Sequence, residues 1–277
     1  RVSTRQAEAC ATSLASQQLN RFTVRLKLLS CEIFYREMSA AVARSPHQID
    51  IEFLSKGLHD IGAEGMQSRL QEALDRADEA RYEAVLFGYG LCGNGLAGLT
   101  ARSIPVVLPR AHDCITLFLG SKERYLDYFQ SHPGVYFRTT GWIERGGNLA
   151  QLQQLSIQNR KGMLFTYEQL VERYGEENAQ YLYEQLGDCR RNYQQLTFIE
   201  MGVEPDDRFE RQAREEAACR GWKFEKVRGN LSLIERLVNG QWDEKDFLVV
   251  PPGWRVIASY DEGIIWMEKA GLPAPGA

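Results

Sequence analysis

The chain of 277 residues lacks the cysteine patterns that mark the commonest small metal sites. None of its six cysteines forms a C-x-x-C pair, which excludes ordinary zinc knuckles and ferredoxin-type cluster motifs. Six cysteines are also too few for the disulfide scaffold of a small secreted protein. We therefore expect these cysteines to be buried, catalytic or metal-binding.

Long apolar runs and blocks of like charge are missing as well. No segment approaches the roughly 20 apolar residues of a membrane helix, and residues 1–22 lack the apolar centre of a signal peptide. The 33 basic and 37 acidic residues are interspersed and give a net charge of -4, which disfavours binding to a phosphate backbone. We expect a cytoplasmic protein that binds neither nucleic acid nor membrane.

Apolar segments alternate with amphipathic ones along the chain, as in α/β proteins. In the first half, strands are predicted at RLKLLSC, IDIEFL, AVLFGYG, IPVVLPR and VYFRTT. In the second half, LTFIEMG, WKFEKVRG and DFLVVPPG repeat the order. The pattern predicts an α/β fold of two β-α-β-α-β lobes with mainly parallel sheets, linked by long helices. We assign residues 1–150 to the first lobe, and 151–277 to the helical linker and second lobe.

Three cysteines follow three predicted strands of the first lobe. Cys31 ends RLKLLSC, Cys92 follows AVLFGYG, and Cys114 follows IPVVLPR. Because ligands bind beyond the carboxyl ends of strands in an open α/β sheet, we expect these thiols to converge. His112 precedes Cys114 by two residues, a spacing that lets both side chains face one ion. The sequence predicts a metal site made of Cys31, Cys92, His112 and Cys114.

Two metals fit this set of ligands. Catalytic zinc commonly takes three protein ligands and keeps an open position, and three cysteines can equally hold a [4Fe-4S] cluster with one open iron. We favour zinc and keep the cluster as the alternative. The simpler explanation is that these are ordinary buried thiols, since cysteine is among the most buried residue types.

Three side chains, one of them already named as a ligand, are candidates for acid-base chemistry at the site. They are His112 itself, its neighbour Asp113, and His59 in the loop after the second strand. Asp113 is expected either to orient His112 or to cap the helix that begins near Cys114. That helix terminus is expected to lower the pKa of the Cys114 thiol.

A glycine-rich loop encloses Cys92. Its close backbone approach predicts a cofactor-binding role for Gly90, Gly93, Asn94 and Gly95. The spacing G-x-G-x-x-G begins inside the strand at Gly88, which disfavours a dinucleotide site. Among the nearby cations, Arg110, Lys122 and Arg124 are candidates for binding an anionic substrate, although surface charge explains the last two equally well.

The segments GYGLCGNGL and IPVVLPRAHDCITLFLGSKERY resemble a bacterial and archaeal family, domain of unknown function 1638. The resemblance includes Cys92, His112, Asp113 and Cys114 and extends through LTFIEMG. It implies a place in anaerobic and one-carbon metabolism, near corrinoid methyltransferase systems. The family supplies no established activity.

Three functions follow as hypotheses. The first is a zinc enzyme acting on a small-molecule substrate in thiol or methyl-transfer metabolism. The second is a [4Fe-4S] hydratase or lyase. The third is a non-catalytic protein that binds a metal or corrinoid for a methyltransferase partner, which predicts tight binding without turnover and an exposed apolar rim around the site.

Overall fold

The computed structural model describes residues 23–146, 167–176, 178–180, 193–259 and 261–271. Its strands, in chain order, are β1 (Arg25–Cys31), β2 (Gln48–Leu54), β3 (Ala84–Gly88), β4 (Val106–Pro109), β5 (Val135–Thr139), β6 (Gln195–Glu200), β7 (Lys223–Arg228), β8 (Phe247–Val250), β9 (Trp254–Ala258) and β10 (Ile265–Lys269). The predicted boundary at residue 150 lies outside the described residues.

Helices connect most of these strands. They are α1 (Tyr35–Val42), α2 (Ala63–Asp75), α3 (Cys114–Leu119), α4 (Lys122–Ser131), α5 (Thr140–Glu144), α6 (Tyr167–Tyr174), α7 (Arg208–Arg220) and α8 (Ser232–Val238). Short 3₁₀ turns follow β1 (Glu32–Phe34) and β2 (Lys56–Asp60) and precede β3 (Glu79–Arg81). Among the helices that the structure describes, none has the length and apolar character needed to cross a bilayer.

The larger sheet has five strands in the order β2-β1-β3-β4-β8. The first four run parallel, and β8 is antiparallel to β4. Every residue of β3, β4 and β8 is buried, as expected for apolar strands covered on both faces. The predicted α/β class with mainly parallel sheets is confirmed.

A smaller sheet has the order β5-β6-β7, with all strands parallel. Its core contains Leu196 and Phe198 of β6, which pack against Phe209, Ala213 and Ala217 of α7. The last two strands, β9 and β10, form a separate antiparallel pair.

Two strands do not belong to the sheets predicted for them. VYFRTT, assigned to the first lobe, forms β5 and pairs with β6, whereas DFLVV, assigned to the second lobe, forms β8 and pairs with β4. The predicted second β-α-β-α-β unit is therefore wrong in its third strand. The physical reason is burial. The strand β8 is entirely apolar, and it covers the open edge of β4, where both faces of β8 are covered.

Helix α1 carries a carboxyl group into the interior. Glu37 is fully buried, and neither of its carboxylate oxygens has a hydrogen-bond partner among the described residues. Burial raises the pKa of Glu37 to about 8, and the nearby charges of Glu204 and Glu144 act in the same direction. The side chain is therefore protonated in neutral solution.

Glu37 should make stability depend on pH. Its folded-state pKa of about 8 lies above the ordinary value of 4.5, so its contribution is full below pH 4.5 and is lost as the pH rises through 8. A Glu37→Gln variant should match the wild type near pH 5 and become more stable than it toward pH 8, by up to roughly 1.4 kcal/mol per pH unit. Urea unfolding of both proteins across this range measures the difference; a constant difference would contradict a buried, titrating carboxyl group.

Candidate functional site

Four neighbouring strands place the candidate residues at one edge of the larger sheet. In the order β2-β1-β3-β4, His59 lies in the turn after β2, Cys31 ends β1, Cys92 follows β3, and Cys114 begins α3 after β4. Each side chain therefore comes from the carboxyl end of a parallel strand, where the ligands of open α/β sheets bind.

The three thiols are buried together. Cys31 is 1% exposed and Cys114 is 7% exposed, and Cys92 is partly buried. Cys31 and Cys114 belong to one hydrophobic core, and Cys92 packs against it. These three residues are called the cysteine cluster below.

Burial keeps these thiols neutral. It raises the pKa of Cys31 to about 12 and raises the pKa values of Cys92 and Cys114 above their ordinary range. The expected lowering of the Cys114 pKa by the helix terminus is therefore wrong. Desolvation of a thiolate in the interior outweighs the field of a helix only six residues long.

His59 contacts the cysteine cluster. Its Nε2 atom lies 3.5 Å from Cys31 Sγ, and its ring stacks on Tyr89 with 6.1 Å between centroids. Burial lowers the pKa of His59 to about 4. A neutral imidazole beside a thiol can either coordinate a metal or accept a proton.

His112 contacts the cysteine cluster through its own backbone carbonyl group. Its carbonyl oxygen accepts a hydrogen bond of 2.9 Å from Cys92 N–H, while its ring is exposed and stacks on Tyr125 with 6.0 Å between centroids. The two predicted histidines thus differ: the His59 ring contacts a thiol, and the His112 ring lies at the surface.

The described side chains do not form a ready coordination sphere. Within the described ranges, no three histidine, cysteine, aspartate or glutamate groups are placed so that they could hold a metal ion. A metal site built from the cysteine cluster would therefore require the thiols to turn toward one another. The four predicted ligands remain a prediction.

Asp113 caps helix α3. Its Oδ1 accepts hydrogen bonds from Ile115 N–H at 2.9 Å and Thr116 N–H at 3.4 Å, and its Oδ2 accepts one from the Tyr125 hydroxyl at 3.0 Å. Burial raises the pKa of Asp113, and these hydrogen bonds act against that rise. The predicted cap is present, and it fixes the start of the helix that carries Cys114.

The glycine-rich loop is shaped by close packing and by left-handed backbone. A Cβ atom at Gly90 would lie 2.6 Å from the Asp113 backbone, so Gly90 lets the loops after β3 and β4 touch. Cys92, Gly93 and Asn94 have φ values of 47°, 65° and 72°. Their left-handed turn changes the direction of the chain and exposes Gly93 and Asn94 to solvent. Gly95 instead packs on Met66.

Tyr89 is a neighbour of the cluster that the sequence prediction missed. It is 1% exposed, and its hydroxyl has no hydrogen-bond partner among the described residues. Negative charge on Cys31 or Cys92 raises its pKa, in addition to the larger effect of burial. The sequence feature that could have identified Tyr89 is its position at the carboxyl end of an apolar strand, beside the glycine-rich loop.

The side chains of the nearby cations Arg110, Lys122 and Arg124 donate hydrogen bonds to backbone carbonyl oxygens. The buried Arg110 guanidinium donates to the carbonyl oxygens of Glu244, Phe247, Gly263 and Ile265. Lys122 donates to Lys245 O at 2.7 Å, and Arg124 donates to Leu119 O at 3.3 Å. These contacts explain the three cations as structural residues without an anionic substrate.

A family model described as "Protein of unknown function (DUF1638)" matches residues 53–238. The chain belongs to this family. The DUF1638 match includes His59 and Cys92 as well as the His112–Cys114 segment, and it begins after Cys31. No curated protein and no solved structure matches the chain.

The contact between the two loops predicts unequal costs for two glycine substitutions. Gly90→Ala would place its Cβ 2.6 Å from the Asp113 backbone and should destabilise the fold by about 2 to 3 kcal/mol. Gly93→Ala has open space but a φ of 65°, so only backbone strain of about 1 kcal/mol is expected. Urea unfolding measures both costs, and equal losses would contradict the close approach.

Proposed function

We propose that this DUF1638 protein is a cytoplasmic, metal-dependent enzyme that holds zinc between Cys31, Cys92 and Cys114. The proposed substrate is a small thiol, a methyl donor or an anionic metabolite of one-carbon metabolism. The observation that supports this proposal is that three thiols, two of them buried and one partly buried, follow three adjacent parallel strands, at the edge where such folds bind ligands.

The residues of the cluster have distinct roles in this proposal. The cysteines would hold the ion, and zinc would act as a Lewis acid that lowers the pKa of a bound thiol or water. The His59 ring, 3.5 Å from Cys31 Sγ, would pass on the proton released there rather than keep it, because burial lowers its pKa to about 4. Asp113 would keep Cys114 in place through the helix cap rather than by contact with the substrate.

A bound cation would change the charge state of these thiols. A buried thiolate without a counter-charge is strongly disfavoured, and a divalent ion removes that penalty when it replaces the thiol protons. Three cysteines without a fourth would equally suit a [4Fe-4S] cluster with one open iron, in an enzyme of the hydratase or lyase type. The metal that is bound after anaerobic purification separates these two proposals.

An exposed aromatic row favours a third candidate, a non-catalytic protein that delivers a metal or corrinoid to a methyltransferase. His112, Tyr125 and Phe129 stack in sequence, with 6.0 and 5.7 Å between successive centroids. Phe129 is 51% exposed and the adjacent Leu126 is 45% exposed. Apolar surface of this kind beside the cluster suits a protein partner.

Metal content after anaerobic purification tests the first proposal. The wild type should contain about one zinc per chain, and a Cys92→Ala, Cys114→Ala double variant should lose it. Cys219→Ala is the matched control, because Cys219 is exposed on α7 and should keep the metal. Circular dichroism checks that each variant is folded. Four irons with sulfide would favour the cluster enzyme; no metal in the wild type after reconstitution would contradict both.

Zinc binding should release protons, because each thiol that binds is neutral beforehand. With the pKa of Cys31 near 12 and those of Cys92 and Cys114 also raised, three coordinating thiols should release about three protons at pH 7. The zinc affinity should therefore increase as the pH rises. Calorimetry in buffers of different ionisation enthalpy counts the protons, and a count of zero would exclude thiolate ligands.

A further inference from the structure

His132 forms the C-terminal cap of α4, and both nitrogens of its ring lie close to oxygen acceptors. Nδ1 lies 3.0 Å from the carbonyl oxygen of Tyr128, and Nε2 lies 3.5 Å from Glu225 Oε2 on β7. The imidazole also stacks on the Tyr128 ring, with 4.1 Å between the centroids and 12° between the planes. The side chains of His132 and Glu225 are 28% and 30% exposed, so their contact is partly shielded from solvent.

The two oxygen contacts indicate how many protons the ring carries. A carbonyl oxygen and a carboxylate oxygen only accept hydrogen bonds, whereas a neutral imidazole has a single N–H group. In either neutral tautomer, one ring nitrogen would therefore place its lone pair against an oxygen atom. The imidazolium form donates at both nitrogens, so it is the form that fits this geometry.

The surroundings of the ring favour the same positive charge. The ring lies at the C-terminus of a helix of 10 residues, where the helix dipole stabilises cations. The face of the Tyr128 ring attracts a cation as well. Glu225 Oε2 accepts further hydrogen bonds from Gln195 Nε2 at 2.6 Å and from the Tyr128 hydroxyl at 3.2 Å. These bonds hold the carboxylate in place beside His132.

Helices α4 and α7 cover opposite faces of the smaller sheet. Gln195 and Thr197 of β6 form hydrogen bonds with Tyr128 of α4, whereas Leu196 and Phe198 pack on α7. Because side chains alternate between the two faces along a strand, the ring of His132 lies on the face that carries the odd-numbered residues of β6.

The other charged groups on these elements have different positions. Arg138 and Lys226 pair with carboxylates of α7 on the opposite face. Lys223 precedes Glu225 by two residues, so it lies on the same face of β7, and it is exposed. Glu225 is the carboxylate that contacts the ring. The other charged or titratable residues of α4 are Lys122, Glu123, Arg124, Tyr125 and Asp127.

We propose that His132 is a proton-controlled latch. Its doubly protonated ring joins the C-terminal end of α4 to Glu225 of β7, and the loss of one ring proton to solvent releases the contact with Glu225. The contact with the Tyr128 carbonyl oxygen remains, because Nδ1 is closer to its acceptor than Nε2 is. The latch is independent of any metal at the cysteine cluster.

The latch acts on a helix that also contacts the candidate site. Tyr125, in the preceding turn of α4, donates a hydrogen bond of 3.0 Å to Asp113 Oδ2. Asp113 caps the helix that begins at Cys114. Helix α4 thus connects the smaller sheet to the helix that carries Cys114, and His132 fixes one end of this connection when it is protonated.

Melting temperatures of matched variants test the latch at two pH values. His132→Gln should lower the melting temperature by about 2 °C more at pH 5.5 than at pH 8.5, because stacking on Tyr128 is lost at both pH values and the charged contact only at the lower one. In a Glu225→Gln background this pH dependence should vanish. In a Glu215→Gln background it should persist, because Glu215 is exposed on α7, across the sheet from the ring.

Nitrogen NMR of the His132 ring supplies a readout that a packing role would not move. The ring should carry two protons at pH 5.5 and should keep the second to a higher pH in the wild type than in Glu225→Gln. At pH 8.5 the remaining proton should reside on Nδ1, which faces the Tyr128 carbonyl oxygen. Identical titrations in the two proteins, or a proton on Nε2 alone at pH 8.5, would overturn the proposal. The same loss of melting temperature at both pH values would also overturn it.

Discussion

The contact between the loops that follow β3 and β4 is the constraint on which the candidate site depends. Gly90 lies directly against the Asp113 backbone, and two backbone hydrogen bonds join the loops, from Leu91 N–H to Ala111 O at 2.8 Å and from Cys92 N–H to His112 O at 2.9 Å. Any side chain at position 90 would separate them. This contact brings two thiols that are distant in sequence into one buried cluster, and the adjacent β1 adds the third.

Burial then sets the chemistry of every group in the cluster. It raises the pKa of the thiols and lowers that of His59, and the buried Tyr89 hydroxyl has no hydrogen-bond partner among the described residues. Each group is neutral for the same reason, the cost of a charge in the interior. In the proposed function, one bound ion would change the protonation of several of these groups together.

The sequence was sufficient where local pattern decides structure. Continuous apolar runs located β3 and β4, and the acidic residue before Cys114 located a helix cap. It was insufficient where distant contacts decide. The strand β4 pairs with β8, which comes from the far end of the chain. The ring of His112 points outward and stacks on Tyr125. Desolvation raises the pKa of Cys114, whereas the helix terminus was expected to lower it. Tyr89 belonged to an apolar run, so the sequence alone did not show that its hydroxyl lacks a partner in the described part of the chain.

The central claim is that sulfur atoms from three adjacent strands bind one ion. X-ray absorption at the zinc edge of the loaded protein tests it directly, because sulfur ligands lie near 2.3 Å and nitrogen or oxygen ligands near 2.0 to 2.1 Å. The account predicts a first shell with about three sulfurs, reduced when Cys31 is replaced by alanine. A shell of nitrogen and oxygen alone would contradict it and leave the cysteines as buried core residues.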